Sequence, residues 1–459
     1  MHRRSFLTLT LLTLGLKGRL SLASEEGKPL NITQHLLDLI SSGQSVNIPA
    51  GNYVIDAASI QLQSNSRVAF SKDAVFKVNK TGSGEVCIFL IDGKSDIEVS
   101  GGVFYYDDDT VDVIKIVNHS ADISINEIIC QGCRLVVSDV MKSYDLISDG
   151  DLNSRINITG CKGSSSIINT RRAFIELHYT KESACEHCII DGYYHGMMFW
   201  GGDSNPQQNG AVGNARKAFQ LRFKNNNIKN VQLGGIWGSM GDSVSIESNY
   251  LDNGRDVGID FEGCNNSFAI NNEVKDFRHG GLATFFLCNN IRFENNVSIS
   301  TKKENIVAAI FNSTLKQENK NISFINNNFI GDGVLSSFTQ NGSVSELLIK
   351  NNKFTNVLIT LISPNNGRIE ISGNNLGFTI LPREGDFIVN VSNSLTTESM
   401  LILQENNIHS DKKWFSGEPV FHIKTLEMRN TGVRPLVKDN LIEEKLLPNP
   451  AVILKLIQK

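Results

Sequence analysis

The chain has 459 residues, 40% hydrophobic and 20% charged, with a formal net charge of −4 at neutral pH. This balance supports a large buried core and excludes a disordered chain, and the acidic excess argues against a nucleic-acid partner, which needs a basic face. Such a length holds two or three ordinary domains or one elongated array.

Residues 1–23, MHRRSFLTLTLLTLGLKGRLSLA, join a basic start to an apolar run from Phe6 to Leu16 and close on small residues up to Ala23. That is the pattern of an export signal, so a periplasmic or extracellular location is expected. Arg3-Arg4-Ser5-Phe6-Leu7 resembles a twin-arginine signal, from which His2 and Thr8 depart. Cleavage near Ala23 removes four basic and no acidic residues and leaves a formal charge of −8. An acidic chain accommodates a neutral glycan more easily than an anionic one, unless a local basic cleft reverses the preference. The apolar run is too short to cross a bilayer, and no later segment approaches the roughly 20 apolar residues required, so no membrane-spanning segment is expected.

In NITQHLLDLISSGQSVNIPAGNYVI, residues 31–55, apolar positions from Ile32 to Ile40 recur at helical spacing behind Asn31, a candidate N-cap. The spacing predicts a short helix that plugs the open end of a core and prevents edge-to-edge association. A strand and a Pro-Ala-Gly-x-Tyr turn follow. DIEVSG, DISINEI and RINITGC, beginning at residues 96, 122 and 155, read as short alternating strands. Asp107, Asp108 and Asp109, and the loop Asp149-Gly150-Asp151-Leu152-Asn153, are oxygen-rich enough for Ca²⁺. Neither completes a known calcium loop, so solvated turns are expected there and no cofactor is.

From residue 220 an asparagine recurs before a strand, at Asn227, Asn249, Asn272, Asn296, Asn328, Asn352, Asn375, Asn407 and Asn440, spaced 22 to 33 residues apart with no helical stretch between. A period of this length built from strands indicates a solenoid whose stacked rungs form parallel sheets around one apolar core. An asparagine at a tight bend tolerates left-handed backbone angles, and its amide can bond the bend and the asparagine of the next rung. The ladder therefore reads as structural. The whole resembles the parallel β-helix of the pectate-lyase superfamily, with the opening helix, strand and Pro-Ala-Gly-x-Tyr turn strengthening the likeness. The resemblance covers most of residues 28–445 and implies an all-β, single-stranded right-handed parallel β-helix (solenoid) with an N-terminal capping helix. The expected organisation is export signal 1–23, cap helix and first strands 28–60, β-helix 61–445 and a C-terminal cap strand 446–459.

Four rungs, YYHGMMFWGGD, QLGGIWGSMGD, RDVGIDFEGCN and RHGGLATFFLCN, register on a glycine followed by an apolar residue. Met197, Ile236, Ile259 and Leu282 then point inward, as do Phe199, Gly238, Phe261 and Thr284, because strand side chains alternate. Met198, Trp200, Trp237, Ser239, Asp260, Glu262, Ala283 and Phe285 face outward. The preceding turns add Tyr193, Tyr194, His195, Gln232, Arg255, Asp256, Arg278 and His279. Aromatic faces stack on pyranose rings and fixed polar groups read hydroxyls, so this face is a candidate polysaccharide groove.

Glycosidic cleavage needs two positioned carboxyls. Asp260 and Glu262, two residues apart on one strand face, have backbones about 6.6 Å apart, overlapping the roughly 6.5–9.5 Å of inverting glycosidases. Like-charge crowding raises at least one of their pKa values. Asp256 shares a column with His279 and can orient its imidazole for proton transfer. Asp260, Glu262, Asp256 and His279 are thus the candidate catalytic residues; Trp237, Trp200, His195, Tyr194, Arg255 and Arg278 are the candidate substrate contacts. The insertion of residues 203–218 reads as a loop bordering the groove.

The family motifs leave the reaction open. Asp260 and His279-Gly280 partly resemble polygalacturonase motifs, while a placed Asp-Asp and Arg-Ile-Lys are absent. Arg278 beside Asp256 and Asp260 is similar to a pectate-lyase site without its arginine-proline motif, and the Asp-Pro-His-Glu of alginate epimerases is missing. Hydrolysis is favoured, with β-elimination or epimerisation, and a non-catalytic glycan-binding or surface-structural module, as the alternatives. Glycan identity and oligomeric state are not encoded legibly. Among the eight cysteines, Cys130-x-x-Cys133 and Cys185-x-x-Cys188 offer four thiolates near His187 but lie about two rungs apart, against zinc. Cys264 and Cys288 occupy the same place in adjacent rungs, open to a disulfide or to stacked thiols.

Overall fold

A computed structural model describes residues 29–203, 216–311, 318–362, 367–380, 386–392, 400–411, 421–425, 436–442 and 454–458. The expected export signal and most of the 203–218 insertion lie outside the described residues. Among them the strands assemble into three parallel sheets of 16, 15 and 16 strands. Sheet I runs from Leu30–Asn31 to Leu441–Ile442, sheet II from Ile60–Gln61 to Leu454–Gln458, and sheet III from Val46–Ile48 to Leu436–Lys438. One rung takes a strand from each: Asn265–Ile270 in sheet III, Glu273–Phe277 in sheet I and Gly280–Phe285 in sheet II. The chain is a right-handed parallel β-helix, the hand that nearly all crossovers between parallel strands take.

Inward side chains stack on their own kind. Ile97, Ile123 and Ile156 follow one another in register in sheet III, and Phe293 lies over Phe324 with ring centroids 4.7 Å apart. Burial of these columns is the main favourable term holding the rungs together. The helix Thr33–Ser41 closes one end with Ile32, Leu36 and Ile40 buried. Ile32, not Asn31, takes the N-cap position, because Asn31 is held in a strand paired with Val54. Asn31 still accepts the Thr33 N–H through Oδ1 at 3.0 Å.

Between sheets III and I the asparagine ladder is continuous. It consists of Asn226, Asn249, Asn272, Asn296, Asn327, Asn352, Asn374, Asn406 and Asn440, each Nδ2 donating to the next Oδ1 at 2.9–3.1 Å. The same Oδ1 accepts the backbone N–H of the preceding ladder residue, as from Asn249 to Asn272, and the second Nδ2 proton goes to a strand carbonyl, as from Asn272 to Ile246. Four of the expected members are displaced by one: Asn227, Asn328, Asn375 and Asn407 begin strands instead. At each of these four places the asparagine just before enters the ladder. Nor does the ladder residue supply the left-handed bend; the residue before it does, as at Asn225, Ser248, Asn271 and Asn295. Two neighbouring residues divide the work expected of one.

Candidate functional site

The rung overlay holds residue for residue. Met197, Ile236, Ile259 and Leu282 are in register and buried in the core, and Gly238 accommodates Phe199, whose ring a Cβ would meet at 1.8 Å. Tyr193 departs from expectation: its ring is in the core, its hydroxyl donating to the Cys133 carbonyl at 2.8 Å. Tyr194 stays in the turn, half-buried against His195.

Asp260 shares the outer face of sheet II with Trp237 but is not open to solvent, at 1% exposure. Its strand neighbour on that face is Ala283, which clusters with Val257, Ala309, Trp237 and Phe285. Alternation assigned the face correctly; the bulk of neighbouring rungs, which alternation does not measure, covers it. Apart from the Glu262 carboxyl, neither carboxyl oxygen meets a protein hydrogen-bonding group. Burial, then the charges of Glu262 and Asp256, push the Asp260 carboxyl well above its ordinary range, so a neutral acid is the form that fits. The Asp260 and Glu262 carboxyls lie within hydrogen-bonding reach of each other. That is closer than the roughly 5–5.5 Å of retaining or 6.5–9.5 Å of inverting pairs. The two side chains converge from backbones two residues apart, with Glu262 the more exposed member.

Beside this pair Trp200 and Trp237 stack with ring centroids 5.5 Å apart. His195 packs on Trp237 at 5.7 Å and is 6% exposed. Its Nδ1 accepts the Gly234 N–H at 3.1 Å, which leaves the neutral ring's proton on Nε2. Burial lowers its pKa to about 4, against the pull of Asp256. His279 Nδ1 meets Asp256 Oδ1 at 3.0 Å on an exposed turn, as their shared column implied. Arg255 and Arg278 are exposed and line a cleft of about 730 Å³ together with Gln232 and Lys302. Among the described residues neither arginine is part of an ion pair.

One rung before the overlay begins lies a cluster that the sequence reading passes over. Glu176 and His178 occupy the outward positions in register with Met198 and Trp200. Glu176 is 2% exposed, accepts the Ala173 N–H at 2.7 Å and pairs with Arg172. Burial alone would raise it, but His178, Arg172 and Arg134 outweigh burial and hold it below its ordinary value. Arg134, 1% exposed, sits 3.0 Å from Asp112 and 2.8 Å from Glu85. This rung carries Phe174 where the next has Gly196, so a glycine-anchored overlay does not reach it. The string RRAFIELH, with alternating Glu and His, was the available signal.

All eight cysteines are buried free thiols. Among the described residues no group of three His, Cys, Asp or Glu side chains could hold a metal ion. The acidic turns are not merely solvated: Asp109 is fully buried and accepts the Asn169 N–H at 2.7 Å and the Thr170 hydroxyl at 2.8 Å. Asp151 accepts the Ser148 N–H and hydroxyl.

No family model and no curated protein matches the chain. Among solved structures it is similar to the A-module of the Azotobacter vinelandii mannuronan C-5 epimerase AlgE6, at 12% identity over 88% of this chain and 93% of that one, with a TM-score of 0.45. The Streptococcus pneumoniae surface protein and adhesin PfbA matches at 11% identity, 83% and 96% coverage and a TM-score of 0.46. DFA-IIIase from Arthrobacter chlorophenolicus A6 matches at 10% identity, 84% and 93% coverage and a TM-score of 0.41. Likenesses at this level assign no activity.

Proposed function

We propose that the chain is an exported protein that binds a polysaccharide along the outer face of sheet II and cleaves it by glycosidic hydrolysis. The observation that carries this reading is the stacked Trp200–Trp237 platform abutting a neutral buried acid, Asp260, joined to the more exposed Glu262. Aromatic platforms hold sugar rings, and an acid kept protonated near neutral pH is what a leaving glycosidic oxygen requires. Glu262 is the group that reaches the substrate. The proton held by Asp260 passes through Glu262 to the glycosidic oxygen as the anomeric carbon–oxygen bond breaks, which leaves both carboxyls ionised. Asp256, oriented by His279, takes a proton from the water whose oxygen bonds to the anomeric carbon.

The unpaired Arg255 and Arg278 favour a second reading, elimination or epimerisation of an acidic sugar. There the arginines hold the sugar carboxylate and His279 removes the adjacent carbon-bound proton. A panel of neutral and acidic polysaccharides incubated with the protein separates the readings. Hydrolysis gives new reducing ends without ultraviolet-absorbing unsaturated products, and Glu262→Gln abolishes them while the protein still binds. Unsaturated or epimerised products move the assignment to the second reading. Binding without any product leaves a glycan-binding module.

A further inference from the structure

A second cleft, of about 600 Å³, opens on sheet I away from the tryptophan platform. Its floor is one outward column: Tyr105, Gln131, Ser164 and Asp191 stand in register on four successive rungs. At about 4.8 Å per rung the column is roughly 14 Å long. Farther along, the same column becomes Lys229, Asp252 and Lys275, alternating charges that neutralise one another. Within the cleft it presents an aromatic ring, an amide and a hydroxyl on three successive rungs.

The cleft is held in shape by the acidic run Asp107-Asp108-Asp109. Tyr105 is 40% exposed, and its hydroxyl donates to Asp107 Oδ1 at 2.6 Å, which fixes the ring as a standing platform. Asp108 accepts the Asn169 side-chain amide at 3.1 Å, and Asp109 takes the Asn169 and Thr170 N–H groups and the Thr170 hydroxyl. These bonds clamp the segment that follows the wall, where the Ser165 hydroxyl donates to the Ile167 carbonyl at 2.8 Å. Gly132, at φ +85°, lets the wall close in; a Cβ there would lie 1.8 Å from the Tyr106 carbonyl oxygen. A surface cleft with an exposed ring held by its own hydroxyl, and with both walls tied, is ordered before any ligand arrives, which lowers the cost of binding.

We infer that this cleft is a second carbohydrate site, taking a neutral sugar chain that lies along the rungs with a ring on Tyr105 and hydroxyls on Gln131, Ser164 and Asp191. The chemistry selects neutral sugar: the charged groups lining the cleft are the carboxylates of Asp107 and Asp191, which accept hydrogen bonds from hydroxyls and repel an anionic chain.

Calorimetry with the hexaoses of cellulose, xylan, mannan and galactan, and with hexagalacturonate, tests it in a Trp200→Ala, Trp237→Ala background, which takes both rings of the sheet II platform away and leaves Tyr105 as the ring that reports on this cleft. At least one neutral hexaose is expected to bind, Tyr105→Ala to weaken it tenfold or more, and Tyr105→Phe to retain most of the affinity with its ring. The inference is overturned if this background binds none of the neutral hexaoses, if it binds only hexagalacturonate, or if Tyr105→Ala leaves affinity unchanged with the fold intact by circular dichroism. None of these outcomes depends on cleavage, so it stands or falls apart from the hydrolytic reading.

Discussion

The asparagine ladder and the outer face of sheet II both bury polar groups, and they do so in opposite ways. In the ladder every buried amide is matched: Asn272 donates to Asn296 and to the Ile246 carbonyl, while its oxygen takes two N–H groups from Asn249. Sheet II instead buries Ser239 Oγ without a hydrogen-bond partner and both oxygens of Asp260 with none beyond the Glu262 carboxyl. Matched burial stiffens a fold, whereas unmatched burial costs stability and persists where something else uses it. Polarity in this molecule is therefore read by its partners, not by its depth.

The largest effect that tests this contrast lies on the unmatched side. Glu262→Gln should lower cleavage about 10²–10⁴-fold, the range for removing a positioned acid, with an unchanged melting temperature. A parallel loss of stability would place Glu262 with the structural groups. On the matched side, Asn296→Ala strands both the side-chain and backbone N–H of Asn272 and should cost about 2–5 kcal/mol in urea unfolding, with the cleavage rate of the folded protein retained.

Asp260 gives the next effect, in its sign. Its folded pKa lies above the ordinary 3.8, so the folded state holds a proton that the unfolded chain releases, and stability falls as pH rises from about 4 through the folded pKa. Asp260→Asn removes that slope, and its melting temperature should gain on the wild type as pH rises. Equal slopes in the two proteins would mean an ionised Asp260. Trp237→Ala should weaken glycan binding by up to about tenfold, the worth of one aromatic contact. Smallest of all, Arg155→Ala breaks an exposed pair with Asp122 and should cost under about 1 kcal/mol.

How much was legible in the sequence follows from the same contrast. The coil, its rungs and the face bearing Trp237, Asp260 and Glu262 follow from periodicity, because alternation is a property of the backbone. The Asp256–His279 contact follows from the column they share. Which asparagine enters the ladder was legible at Asn249, Asn272, Asn296, Asn352 and Asn440 but not next to Asn227, Asn328, Asn375 and Asn407, where adjacent asparagines both fit the bend and only the neighbouring rung's amide selects one. Nor was the depth of Asp260: the neighbouring cluster of Val257, Ala283 and Ala309 is packed by Trp237 and Phe285, 23 and 25 residues away in the chain. Glu176 and His178 were missed for want of a glycine to anchor their rung.

The claim on which the site rests is that Asp260 is a neutral acid beside Glu262. An infrared difference spectrum at pH 7 between the wild type and Asp260→Asn measures it directly. A protonated-carboxyl carbonyl band present in the wild type and missing from the variant is the expected result; a difference showing only ionised carboxylate would contradict it.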